Sequence, residues 1–307
     1  MANTVHYPSL ASFNDVKMVA ACDVNAERLN ATADKYEISE RYSDYRKMIE
    51  ETAPDAVYVI GQPHIMYDVW LWCLGQKLNL CIEKPMGITI HQARNLAYLA
   101  QANNCITQVG FQRRACPLIV RLHQECAKRG PIVHAVCEFY KNAPDPMLAA
   151  PGHMMDDCVH AIDTIRYLCG GEIVGIEAVT KRVGTPDINL ILAQLQFDTG
   201  ATGIVMNSWT SGRRVFRVQV HGRGICAEAD PEGAGMLFAD GDTSGARFDT
   251  QEVAGSSEFY VYAGFQAKNR QFIDAVKNGA QPASCFADAL KTMEAAEKIL
   301  ALDTLKQ

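Results

Sequence analysis

Three stretches carry side chains whose types and spacing could do chemistry. The first is "LCIEKPMG", residues 80–87. Leu80, Cys81 and Ile82 read as the end of a buried strand, and Glu83, Lys84 and Pro85 follow at once. Pro85 keeps Lys84 out of helical conformation and fixes where the chain leaves the sheet. Desolvation and nearby cations lower a lysine pKa and make it a usable acid or base; Glu83 opposes that if it points the same way. The same three residues also read as a structural ion pair at a strand end.

The second stretch is "GHMMDDCVHAIDTIRYLCGG", residues 152–171. Ile162, Ile165 and Leu168 mark a helix with a core face. Asp156 and His160 are four apart and Asp163 three further, a spacing that places them on one helical face. A carboxylate beside an imidazole can fix its tautomer and free the other nitrogen for proton transfer. Asp163, one turn along, is expected to bind substrate. Two other readings stand beside this one. Asp156 and Asp157 suit a helix start, and His153, Asp156 or Asp157, and His160 could ligate a metal. The metal reading fits less well, because no further cluster completes the shell, and no metal is expected.

The third is Asp23 at the end of the strand "VKMVAACD", with Arg28 five residues on. An acidic residue there can hold an adenosine ribose. It also reads as a turn or helix-capping aspartate, and Arg28 as a surface residue or a partner for a 2′-phosphate. NAD is the expected cofactor, with NADP possible.

The elements that position these residues alternate in the first third of the chain. Strands are predicted over 16–23, 56–61, 78–83 and 105–110, and helices over 25–36, 65–75 and 90–103. Thr89 and Gln92 form a capping box for the last of these. Short apolar strands between amphipathic helices indicate a parallel sheet covered on both faces. Ligands bind at the carboxyl ends of such strands. Gln62, Pro63, His64, Glu83, Lys84, Gln112 and Arg113 occupy those ends and become candidates for holding a cofactor.

After about residue 114 the rhythm changes. A helix (115–128), a strand (132–140), a loop (141–153) and a helix (155–169) lead into strands at 173–183, 188–197, 202–209, 215–221, 225–229 and 235–239. Helices near 264–278 and 284–304 close the chain. In "VFRVQVHG", Phe216, Val218 and Val220 share one face and Val215, Arg217, Gln219 and His221 the other, as in an antiparallel sheet with one covered face. The expected architecture is α/β. A Rossmann-type, doubly wound parallel sheet (1–114) precedes a C-terminal α+β domain with a large open, mainly antiparallel sheet (115–307).

The totals agree. The 307 residues suit two domains better than one. Net charge −6 argues against nucleic acid. No apolar run is long enough for a bilayer and no signal-peptide pattern is present, so a cytoplasmic protein is expected. The eleven cysteines include no C-x-x-C pair and lie mostly in apolar segments, which points to buried thiols in a reducing compartment.

Taken together, "AACDVNAERLNATADKY", "CIEKPMG", "VGFQRR", the Asp156-x-x-x-His160-x-x-Asp163 helix and "QFIDAVKNGAQPAS" resemble the Gfo/Idh/MocA oxidoreductases, over nearly the whole chain. The resemblance implies NAD(P)-dependent hydride transfer at a sugar or cyclitol hydroxyl. It places Lys84 on the family's Glu-Lys-Pro lysine, and Asp156 and His160 on its catalytic pair. It implies a homodimer or homotetramer built through the C-terminal sheet. The chain departs from the pattern at its start, where the family's first strand and G-x-G-x-x-G loop, roughly a dozen residues, are missing. That strand would be central, and the loop would hold the pyrophosphate. Two other functions known among such proteins are an NAD-assisted glycosidase and a non-catalytic dinucleotide sensor.

Overall fold

The computed structural model describes residues 1–143 and 152–304. A π turn, Ala2–His6, runs into α1 (Tyr7–Ala11). Strands and helices then alternate: β1 (Ala20–Cys22), α2 (Ala26–Lys35), β2 (Glu40–Tyr42), α3 (Tyr45–Thr52), β3 (Val57–Val59), α4 (Pro63–Gly75), β4 (Leu80–Ile82), α5 (Ile90–Ala102) and β5 (Thr107–Val109). A 3-10 turn, Gln112–Ala115, leads to α6 (Pro117–Ala127) and β6 (His134–Asn142). A second π turn, Met154–Cys158, opens α7 (Val159–Cys169). Next come β7 (Ile173–Lys181), β8 (Leu190–Phe197), β9 (Thr202–Ser208), β10 (Thr210–Gly222), β11 (Ile225–Ala229), β12 (Ala234–Ala239) and β13 (Ala246–Asp249). Helices α8 (Thr250–Ala254), α9 (Phe259–Tyr262), α10 (Phe265–Asn278) and α11 (Phe286–Thr304) complete the order.

Local chemistry explains the element boundaries. Asn25 caps α2 by accepting from the Arg28 amide, and Asp44 caps α3 through the Arg46 and Lys47 amides. Thr89 caps α5 as expected, but the Gln92 side chain accepts from the Ile88 amide, one residue before the cap itself. The parallel strands are three residues each, shorter than the apolar runs that contain them. The antiparallel ones are longer, and β10 reaches thirteen residues. β2, α3, β13, α8 and α9 were not expected from the sequence; α3 has an apolar face of Tyr45, Met48 and Ile49, and the others are five residues or shorter. Most of the expected loop at 141–153 lies outside the described residues.

The large sheet has the order β13-β12-β11-β10-β6-β9-β8-β7 and is antiparallel except where β6 runs parallel to β9. Phe216, Val218 and Val220 of β10 turn inward with Ala135, Cys137 and Phe139 of β6, and α7 packs across that face. On the other face, the cross-strand neighbours Val179, Leu192 and Met206 form an apolar row. Val179 and Leu192 in that row are exposed.

The parallel strands do not form one sheet. β1 pairs with β2, β3 pairs with β4 and β4 with β5, and β1 and β3 are not joined. The break falls where the central strand of the expected order would run. β1 and β3 both line a cavity of about 1620 Å³. The core is divided there too. Ala21, Leu29, Ala33 and Ile38 form a small cluster of their own, whereas a continuous core runs from Ile49 to Ile299. All eleven cysteines are free, eight of them buried.

One polar seam joins the parallel sheet to the rest. Arg114, in the turn after β5, grips Asp163 of α7 through Nε (2.9 Å) and Nη2, and reaches Asp288 of α11 at 2.9 Å. Arg166 bonds Asp288 and Thr292, and Thr292 donates to Asp163 at 3.2 Å. Burial alone would lower the Arg114 pKa, but Asp163 and Asp288 together raise it. This corrects the expectation that Asp163 binds substrate, because its side chain is buried and spent on Arg114. Breaking a buried pair by removing one partner costs about 3–5 kcal/mol. Asp163→Asn should therefore lower the urea midpoint sharply. An unchanged midpoint with a raised KM would instead restore the substrate role.

Candidate active site

β4 is buried on both faces, so its last charged neighbours must leave the core on opposite sides. Glu83 turns inward. Its Oε1 lies 2.9 Å from His6 Nε2, and His6 Nδ1 lies 3.1 Å from Asn269 Oδ1. Gly110 makes room for this carboxylate, since a Cβ there would stand 2.6 Å from Glu83 Oε1. Lys84 takes the opposite course. Its Nζ donates to Asp156 Oδ1 at 2.9 Å and to the Asp156 backbone carbonyl. The Lys84–Pro85 peptide bond is cis.

Asp156 therefore does not orient His160. The reason is the π turn, whose i→i+5 bonding shifts the helical register just before α7. The turn lets Met154, Met155, Asp157 and Cys158 bury together and leaves Asp156 facing Lys84. His160 stands on the first turn of α7, edge-on to Phe111 with ring centroids 6.1 Å apart. Its Nδ1 is buried with no hydrogen-bond partner among the described residues. Burial holds the imidazole pKa well below the usual histidine value, and Lys84, Arg113, Lys141 and Arg214 push it further the same way. His160 is thus an uncharged base near neutral pH.

The cavity that receives these groups is lined by Lys84, Asp156 and His160 at one end and by Asp23 and Arg28 at the other. Gln62, Pro63, Glu83, Gln112 and Arg113 also line it; His64 does not, and is exposed on the outer side of α4. Arg28 holds Asp23 in a two-pronged pair, Nε at 2.5 Å and Nη2 at 2.6 Å, and this lowers the Asp23 pKa. Arg113 lies over the Phe216 ring at 4.2 Å, against the large sheet rather than between β1 and β3.

Lys141, Arg214 and the ring of Phe139 complete the wall beside His160. None of the three was singled out from the sequence. Lys141 bonds Asp157 Oδ2 at 2.6 Å, and the same oxygen accepts from Trp209 Nε1 at 3.0 Å. The signal available was a charge ending a strand ("FYK") and a pair opening one ("RRVF"), which is too common to mark a site. Asp157, weighed earlier as a helix-start acid or metal ligand, is instead tied up by these two partners. Among the described residues no cluster of three or more His, Cys, Asp or Glu could hold a metal.

Comparison with known proteins identifies the family. Residues 1–111 match the model of the GFO_IDH_MocA oxidoreductase family, NAD-binding Rossmann fold, and residues 127–225 match the GFO/IDH/MocA C-terminal domain. Among curated proteins, the chain is 26% identical to myo-inositol 2-dehydrogenase of Thermotoga maritima, over 91% of this chain and 86% of that protein. It is 24% identical to scyllo-inositol 2-dehydrogenase (NAD⁺) of Bacillus subtilis, over 93% and 86%. Among solved structures, a dehydrogenase from Chromobacterium violaceum superposes with a TM-score of 0.89 at 19% identity, over 100% of this chain and 93% of that one. With its paired family matches and the Lys84, Asp156 and His160 constellation set across a Rossmann-type cavity, the chain belongs to the GFO/IDH/MocA family of NAD-binding oxidoreductases.

Proposed function

We propose that this protein oxidises a hydroxyl of a sugar, sugar derivative or cyclitol, and that residues 1–114 hold the dinucleotide while 115–307 hold the substrate and pair subunits. The observation that carries the reading is the convergence of Lys84 and His160 on one cavity end from separate elements. In the forward direction the carbinol hydrogen leaves as hydride and the hydroxyl proton goes to His160. Lys84 Nζ, anchored by Asp156, donates a hydrogen bond to the same oxygen as negative charge develops there. Asp156 thus positions Lys84, and burial with surrounding cations, not a carboxylate, keeps the imidazole uncharged.

NAD supplies the hydride acceptor when bound. The cavity lining supports this reading. Asp23 ends β1 as an acidic residue that can accept from an adenosine ribose while shared with Arg28, and Gln62, Gln112 and Lys84 line the same cavity. Exposed main chain of β1 and β3 lines the stretch between. Among the described residues no glycine-rich loop stands between those strands. The inositol dehydrogenase relatives support a polyhydroxylated substrate.

The apolar row on the uncovered sheet face, with Val179 at 47% and Leu192 at 37% exposed, supports a homodimer or homotetramer through that face. No helix among the described residues is long and apolar enough to cross a membrane.

Three measurements test this reading. Lys84→Ala and His160→Ala should each lower turnover on the order of a hundredfold or more, with NAD affinity changed far less. Near-normal turnover in a folded His160→Ala protein would remove the base from the scheme. Because the base must be uncharged, activity is lost as pH falls through the depressed His160 pKa. The acid limb of kcat/KM should then lie below about 6.5, the ordinary histidine value, and Arg214→Gln should move it upward. A limb above neutrality would contradict the assignment. Sedimentation at micromolar concentration should show a dimer or tetramer that Val179→Glu dissociates; a monomeric native protein would count against the sheet interface.

A further inference from the structure

We infer that the substrate is a sugar acid, carrying a carboxylate on the same ring as the reacting hydroxyl, and that Arg113 with Arg214 receives that carboxylate. This rests on the oxidoreductase reading above and narrows its substrate.

The cavity end around His160 is lined by four cationic side chains, Lys84, Lys141, Arg113 and Arg214, and by Asp156 and Asp157, with Glu232 set against Arg214 outside the lining. Three of the cations are matched. Lys84 has Asp156, Lys141 has Asp157, and Arg214 has Glu232 in a close ion pair. Arg113 is the exception. It is only 6% exposed, yet its Nε and Nη1 have no hydrogen-bond partner among the described residues. Its Nη2 comes no nearer than 3.9 Å to Glu232, which Arg214 already holds. A buried guanidinium without a hydrogen-bonded anion is costly, and such charges are normally paired. The Phe216 face, 4.2 Å away, holds the group flat but leaves its charge uncompensated.

The missing anion fits substrate better than cofactor. Arg113 is braced by Phe216 of β10 and shares Glu232 with Arg214, so its neighbours belong to the large sheet and not to the β1 and β3 edges. A carboxylate suits a planar guanidinium lying on a ring, since both groups are flat and match donor to acceptor. Recognition would also serve the chemistry. Burial first, and then the four cations, depress the His160 pKa; an anion bound among the cations offsets their part and makes the imidazole a stronger base only once substrate is in place.

The test compares D-glucuronate and D-galacturonate with the matching hexoses and hexose 6-phosphates, using the full chain with NAD and following reduced nicotinamide. The uronate kcat/KM should exceed that of the hexose by about 30-fold or more, the scale of a buried charged pair. Arg113→Gln should bring that ratio toward one. For the uronate, the acid limb of kcat should lie above that of kcat/KM. Equal rates for uronate and hexose would overturn the inference while leaving the oxidoreductase reading intact; a preference for the phosphates would overturn it in favour of a phosphate site. Absence of turnover with every compound would count against the oxidoreductase reading, and binding then decides this one. With NAD present, uronate should raise the melting temperature more than hexose does, and an equal rise would overturn the inference. If Arg113→Gln does not fold, Arg214→Gln, at an exposed position, should lower the uronate-to-hexose ratio, and an unchanged ratio would again overturn it.

Discussion

The grip of Arg114 on Asp163 and Asp288 sets the rest of the site. Arg114 leaves β5 three residues beyond Phe111, Asp163 lies one turn past His160 on α7, and Asp288 begins α11. Because the pair is buried, its geometry is stiff, and any sliding of α7 against β5 would expose an unpaired charge. α7 is thereby locked so that His160 faces Phe111 and the cavity. The same seam holds α11 down, and the segment before it pairs with β5, where the Val109 amide donates to the Ser284 carbonyl and the Phe286 amide to Thr107 Oγ1.

With α7 fixed, the π turn before it decides what Asp156 does. A regular α-helix would place Asp156 and His160 on one face, with a carboxylate available to the imidazole. The extra residue in the turn gives Asp156 to Lys84 instead. The consequence is electrostatic. Buried, without a carboxylate partner and with four cations nearby, His160 stays uncharged, while Lys84 is held by the Asp156 carboxylate. The two side chains thus sit in different electrostatic environments, although both line one cavity.

Glu83 shows why a strand that ends in a core can finish on charged residues. It points inward and is met by His6 and Asn269, so that the π turn at the start of the chain, α10 and the end of β4 share one polar knot. Lys84 points outward into the cavity. Pro85 separates this turn from the helix that follows, and Thr89 starts α5 four residues later. The knot ties the first turn to the lysine-bearing strand across a cavity where no backbone pairing joins β1 to β3.

By itself the sequence determined the elements whose signals are local and strong. These include the alternation of apolar strands with capped helices, the strand ends at Asp23, Gln62, Lys84 and Gln112, the change of rhythm after about residue 114, and the family motifs. Each depends on neighbours within a few residues, through capping, period or proline, and so is legible without contacts. The short β2 and β13 were not, because register and burial define them, whereas α3, with Tyr45, Met48 and Ile49 on one face, carried a legible period. Tertiary structure alone decided which charges meet. Asp163 went to Arg114, Glu83 to His6 and Asp156 to Lys84, and Lys141, Arg113 and Arg214 gathered around His160 from β6, β10 and the turn after β5. Spacing along one helix can state which residues share a face, but partners separated by 49 to 77 residues are chosen by how helices dock and by the cost of leaving a buried charge alone.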